Sequence, residues 1–209
     1  IVAAALVLAL LCCLSLLRTH NWRHSMSLLN HTLEVNPNSS LGHVNMGVLL
    51  AQRGEASEAL KHLKRATEIS PSDVKAHYNL GLLLARQGKI SLAIQSYQAV
   101  LRLRPGKLSA TKNLALLLLR QGQTDQAISH FQAALAIEPR DPVTHNNLGN
   151  ALIQARDYTG AERHFVQALV LQPGYARAHY GLGLAAERQG RREAAAGHYR
   201  EALRLDPRH

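Results

Sequence analysis

Val74–Pro105 reads VKAHYNLGLLLARQGKISLAIQSYQAVLRLRP, and this stretch decides the fold because the chain repeats it. Its closing proline is one of six, Pro37, Pro71, Pro105, Pro139, Pro173 and Pro207, that fall 34 residues apart without a slip. A constant period of this size marks an array of identical supersecondary units. Such an array builds a long surface rather than a pocket, which shifts the expectation from enzyme to binding scaffold.

Five full units follow, over 40–71, 74–105, 108–139, 142–173 and 176–207, within an array spanning 38–209. Position 7 of each unit is Met46, Leu80, Leu114, Leu148 or Leu182. Position 8 is small (Gly47, Gly81, Ala115, Gly149, Gly183), and position 20 is always alanine (Ala59, Ala93, Ala127, Ala161, Ala195). Position 24 is large (Leu63, Tyr97, Phe131, Phe165, Tyr199), and position 27 is small (Ala66, Val100, Ala134, Ala168, Ala202). Apolar residues recur at intervals of three and four in both halves of the unit, which predicts two helices. Between them stand Gly54, Gly88, Gly122 and Gly190, where a left-handed residue ends the first helix at no steric cost. The small residues let the two helices approach, and the proline stops the second. Each unit is therefore a helix–turn–helix that cannot bury its apolar face alone.

These residues resemble the tetratricopeptide repeat family, with small residues at 8, 20 and 27 and proline at 32. The resemblance implies an all-α, right-handed α-solenoid whose first helices line a concave, peptide-binding surface. Repeat three departs from the pattern at Thr111 and Ala115. Repeat four carries Arg156, then Asp157, where the turn glycine belongs, which predicts a tighter or strained turn.

Twenty-four basic residues against 14 acidic give a formal charge of +10. That balance raises nucleic acid or an anionic membrane surface as partners. The basic residues are nevertheless scattered through the units, and only 4% of residues are aromatic, too few for base-stacking platforms. No nucleic acid is expected; a protein or peptide ligand, of acidic character, fits better.

Residues 1–17 (IVAAALVLALLCCLSLL) carry no charge and are expected to form a transmembrane helix, with a cleaved signal peptide as the rival. Seventeen helical residues span about 25 Å, slightly short of a ~30 Å hydrocarbon core. The chain opens on isoleucine, so an upstream part is expected. Cys12 and Cys13 lie inside the apolar run and read as apolar residues. Residues 18–37 are expected to form a half-repeat whose helix, striped by Trp22, Met26, Leu29 and Leu33, caps the first unit. Trp22-Arg23, Ser27-Leu28 and Pro37 resemble the junction of transmembrane-and-tetratricopeptide-repeat proteins, a polytopic glycosyltransferase-like family whose eukaryotic members are linked to protein O-mannosylation. That resemblance implies a lumenal or periplasmic array, whereas Arg18 and Arg23 favour the cytoplasmic side.

The family's concave positions supply the candidate site. Position 6 reads Asn45, Asn79, Asn113 and Asn147, then Gly181. An amide offers one acceptor and two donors, enough to hold both backbone groups of an extended peptide. The row resembles the asparagine ladder of the O-GlcNAc transferase superhelix. The alternative is that each amide bonds to its own or a neighbouring helix. Position 13 adds Arg86, Arg120 and Arg188, suited to acidic ligand groups or merely to their helix C-termini. Tyr78 and Tyr180 are candidate contact aromatics, and Lys112 a candidate cation. With Asn147 and Arg177, Lys112 makes a partial carboxylate clamp, broken by Leu116 and Gly181.

Histidines recur at position 4 (His43, His77, His145, His179) and position 23 (His62, His130, His164, His198). Successive members of either set lie on different repeats, so neither set alone gathers around one zinc ion, and no metal is expected. No phosphate loop, nucleophile elbow or zinc signature is present, so neither a cofactor nor a catalytic residue is expected in this chain. The expectation is a membrane-tethered interaction scaffold that captures an extended segment. The alternative is the substrate-recruiting arm of a membrane protein O-glycosyltransferase whose catalytic part lies elsewhere.

Overall fold

The computed structural model describes residues 25–207, and every regular element among them is a helix. A helix over 25–35 (α1) precedes α2 (Ser40–Gln52), α3 (Ala56–Ile69), α4 (Val74–Arg86), α5 (Ile90–Leu103) and α6 (Leu108–Arg120). Then come α7 (Thr124–Ile137), α8 (Pro142–Gln154), α9 (Tyr158–Leu171), α10 (Ala176–Arg188) and α11 (Arg192–Leu205). The five expected units are thus five helical hairpins. The chain divides into two packing units, 1–84 and 85–209.

In the first, α2 packs on α3, and Val44, Ala66 and Ala76 bring α2, α3 and α4 into one buried cluster with Val48 at its edge. Met26, Leu29 and Leu33 are partly buried while Leu28 and Val35 are exposed. Leu33 lies against the start of α2 so closely that a Cβ on Gly42 would come within 2.9 Å of it. Trp22 and the apolar run 1–17, the expected transmembrane helix, lie outside the described residues. Among those described, no helix is long and apolar enough to cross a membrane.

In the second unit each helix from α5 to α11 packs on the next, the nearest-neighbour order of a solenoid. Close approach depends on the missing side chains at position 8. A Cβ on Gly149 would lie 2.6 Å from the Phe165 ring, and one on Gly183 2.6 Å from Tyr199. Repeat three accommodates the extra methyl of Ala115, which is fully buried, and buried Thr111 returns its hydroxyl to Lys107 O at 3.3 Å.

Short polar side chains cap the starts of α2, α4, α8 and α9. Ser39 accepts from Gly42 N, Asp73 from Lys75 N and Ala76 N, Asp141 from Val143 N, and Asp157 from Gly160 N. Each such cap is worth about 1 kcal/mol. The turns behave as their glycines predict, with φ of 83°, 72°, 78° and 78° at Gly54, Gly88, Gly122 and Gly190. Arg156 adopts the same left-handed conformation at φ 64°. The fourth turn keeps the backbone path of the others, and the arginine Cβ bears the strain.

Candidate functional site

Of the position-6 asparagines, Asn45 and Asn79 belong to the first packing unit, and Asn113 and Asn147 to the second. Asn45 is exposed on α2, and its amide makes no hydrogen bond among the described residues. Asn79 donates Nδ2 to Lys75 O at 2.9 Å, a bond back to its own helix. Asn113 donates Nδ2 to the Tyr97 hydroxyl on α5 at 3.2 Å. Asn147 on α8 is half-buried, and its amide is uncommitted among the described residues. Two amides therefore spend a donor inside the fold, as the structural alternative holds, and two do not.

The second unit contains the more developed surface. There α8 touches both α6 and α10, so the first helices of repeats three to five share one face. Leu116 is 37% exposed on α6, Val143 49% on α8 and Tyr180 47% on α10. Asn150 and Gln154 are exposed on α8, and Arg177 on α10. Arg120 and Arg188 stand exposed in the last turns of α6 and α10, where the helix dipole also favours a cation. Arg86 is exposed in the last turn of α4, and Tyr78 is half-buried on that helix.

Lys112 does not project as an unpaired cation. Its ammonium donates to Asp141 Oδ2 at 2.5 Å and Glu138 Oε2 at 2.7 Å. Asp141 also accepts from Thr144 Oγ1 at 2.5 Å while capping α8. Burial works against both charges, but the hydrogen bonds prevail. They raise the Lys112 pKa and lower that of Asp141. The lysine thus ties α6 to the start of α8, and of the partial carboxylate clamp's two cations only Arg177 stands exposed.

At the far end of this face the Tyr180 and Tyr199 rings meet at 5.5 Å, and the Tyr199 hydroxyl donates to Glu187 Oε2 at 2.7 Å. Burial first, and then the bond to Glu187, push the Tyr199 pKa up to about 12. The two rings, with Ala202 and Leu203, line a notch of about 230 Å³.

Sequence reasoning missed Val143 and Asn150 on this face and the buried Asn146 beside them, and it read Leu116 only as a break in the clamp. The position held by Tyr78 in repeat two and Tyr180 in repeat five is Asn146 in repeat four, only 3% exposed, and its Oδ1 has no hydrogen-bond partner among the described residues. A buried acceptor without a donor is costly, about 1–3 kcal/mol, and a ligand N–H or a water would relieve it. The clue lay in the doublet Asn146-Asn147, which places amides at two adjacent face positions.

The histidines pair across the two sets rather than within either. His43 meets His62, and His145 meets His164. Among the described residues no group of three or more potential ligands gathers around a metal position.

A tetratricopeptide repeat profile matches residues 78–142 and 146–209, more than half of the chain, and a second repeat profile matches 47–88. The chain belongs to the tetratricopeptide repeat family. Among solved structures it is similar to YrrB, described as a TPR protein with an unusual peptide-binding site (22% identity, TM-score 0.77, covering 87% of this chain and 93% of that one). It is also similar to MamA 41-end from Desulfovibrio magneticus RS-1 (25% identity, TM-score 0.76, 81% and 96% covered). A third likeness is PilF of Pseudomonas aeruginosa (22% identity, TM-score 0.73, 93% and 88% covered). No curated protein sequence matches the chain significantly. These likenesses establish the fold; the resemblance of the junction to membrane glycosyltransferase-like proteins rests on the sequence alone.

Proposed function

We propose that the chain is a protein-interaction scaffold that holds an extended peptide segment along the face made by α6, α8 and α10. The observation that carries this reading is the amide cluster of α8. Asn147 is half-buried and uncommitted among the described residues, Asn150 is exposed one turn further on, and Asn146 lies buried beside them. Amides of this kind suit the alternating N–H and C=O groups of an extended backbone. Leu116 and Val143 flank them with apolar contact, and Tyr180 extends the face towards the notch. The exposed arginines Arg120, Arg177 and Arg188 favour acidic ligand side chains, whereas Lys112 contributes to architecture. The description of YrrB as a peptide-binding repeat protein accords with this reading.

The test is selection of peptides from a displayed random library against the full chain. The selected peptide is then titrated against Asn147→Ala plus Asn150→Ala, and against an outer-face control, Gln132→Ala plus Gln167→Ala. Affinity falls about tenfold or more in the first variant and stays unchanged in the second, taking about 1 kcal/mol per amide hydrogen bond. Equal affinity in all three would exclude this face.

The apolar run 1–17 and the junction Trp22-Arg23, Ser27-Leu28 and Pro37 carry a second reading. In it the array is a membrane-tethered arm that presents the captured segment to a glycosyltransferase. Several further membrane spans with acidic loop residues upstream of Ile1 would support it, and a short soluble start would sink it.

A further inference from the structure

Two hairpins contain a histidine pair with an unusual proton inventory. In α2–α3, His43 Nδ1 lies 2.9 Å from His62 Nδ1, with ring centroids 5.1 Å apart. In α8–α9, His145 Nδ1 lies 3.1 Å from His164 Nδ1, with centroids 5.3 Å apart. The opposite nitrogen of each first-helix ring faces a carbonyl: His43 Nε2 is 3.0 Å from Pro37 O, and His145 Nε2 is 3.1 Å from Pro139 O. A carbonyl only accepts, so both Nε2 atoms carry hydrogen. In the neutral pair the first ring's Nδ1 is then the acceptor, and His62 or His164 donates its Nδ1–H.

The pair can take one more proton, on the outer Nε2 of His62 or His164, and keep every bond. A second added proton has only the shared gap left to occupy. It would set two N–H groups against each other at about 3 Å and place two cations in contact. We propose that each pair is a proton-sensitive latch between the two helices of its hairpin, closed with no added proton or one, and opened by the second.

Other hairpins lack the device. Repeat two has Ser96 at position 23 and repeat three has Thr111 at position 4. In repeat five the His179 and His198 rings are 5.8 Å apart, and His179 Nδ1 is buried without a hydrogen-bond partner. The latches therefore sit one in each packing unit.

The surrounding charges add to the effect. Burial holds His62 below the ordinary value of 6.5; His43 from α2 and Lys61 on α3 push the same way, and Glu58 on α3 opposes them. Burial likewise depresses His164, reinforced by His145 from α8 and Arg163 on α9 and opposed by Asp157 at the start of α9. Glu162 on α9 is engaged by Arg191, at the start of α11.

Below about pH 6.5 the unfolded chain binds two protons per pair while the latched hairpin binds at most one, so stability is lost as the pH is lowered; above that value the pairs contribute no pH dependence. Each refused proton shifts the folding equilibrium constant about tenfold per pH unit once the unfolded histidines are protonated.

The experiment combines denaturant unfolding of the full chain at pH 6 and pH 5 with a histidine-resolved NMR titration. The variant is His62→Ser plus His164→Ser, using the serine that repeat two carries naturally. The wild-type folding constant drops about tenfold per latch between the two pH values, and the double variant lacks that drop. In the titration each wild-type pair takes up one proton before its hairpin loosens. An unchanged acid drop in the variant would overturn the proposal. So would a wild-type pair that binds two added protons with its rings still in contact, which decides the matter even should the variant not fold.

Discussion

Repeats four and five share one template and differ in what covers them. In repeat four Phe165 is wholly buried, with Gly149 of its own hairpin and Gly181 of the next helix both pressed against its ring. Ala161, Ala168, Ala178 and Leu182 complete that cluster. In repeat five the same position is Tyr199, partly exposed, with its hydroxyl bound to Glu187, while Leu203 beside it is exposed. Tyr97, the phenol that repeat two carries at this position, is as buried as Phe165 and accepts from Asn113, whereas the partly open Tyr199 ring gives its polar tip to Glu187. The repeats differ also at the turn, where Arg156 faces the conformation that Gly190 adopts freely, and at the histidines, bonded in one and unbonded in the other.

The largest predicted contrast is between Phe165→Ala and Tyr199→Ala. The first removes a fully buried ring and costs about 3–5 kcal/mol in denaturant unfolding, the second about half as much. Comparable losses would mean that the two wedges are sealed alike. Next comes Gly149→Ala, whose methyl meets the Phe165 ring and destabilises by about 1–3 kcal/mol. Gly197→Ala in α11 has nothing within 4 Å and stabilises its helix by about 0.5–1 kcal/mol. An effect of the same sign and similar size is expected for Arg156→Gly, which relieves a left-handed non-glycine residue and stabilises by about 1 kcal/mol. Gly190→Ala should cost a similar amount, and a neutral Arg156→Gly would show that its side chain has a compensating contact. The smallest effect is spectroscopic. Tyr199 ionises near 12, and Glu187→Gln brings it back towards 10, read from its ultraviolet titration. Because the folded pKa is the higher one, the bond to Glu187 stabilises below about pH 10 and is lost as pH rises towards 12.

The 34-residue period made the hairpins, their left-handed turns, the buried alanines and the wedge aromatics legible, because each depends on spacing along a helix. The turn at Arg156 could be anticipated for the same reason. Side-chain partnerships could not. Lys112 finds Asp141 29 residues away, and Asn113 finds the Tyr97 hydroxyl on the preceding repeat. His145 reaches His164 19 positions on. Spacing places such residues on facing helices, but rotamers and interhelix distance decide whether they bond. The amide row shows the same division. Its register was visible, yet which amides are committed depends on neighbours whose positions only the folded hairpins define.

The α6–α8–α10 face is tested most directly by the affinity of a library-selected peptide for the full chain and for Leu116→Glu. This side chain is exposed, so the substitution leaves the fold intact while placing a carboxylate beside the amides of α8. A loss of tenfold or more with unchanged thermal stability is predicted. Undiminished binding at unchanged stability would exclude this face as the peptide site.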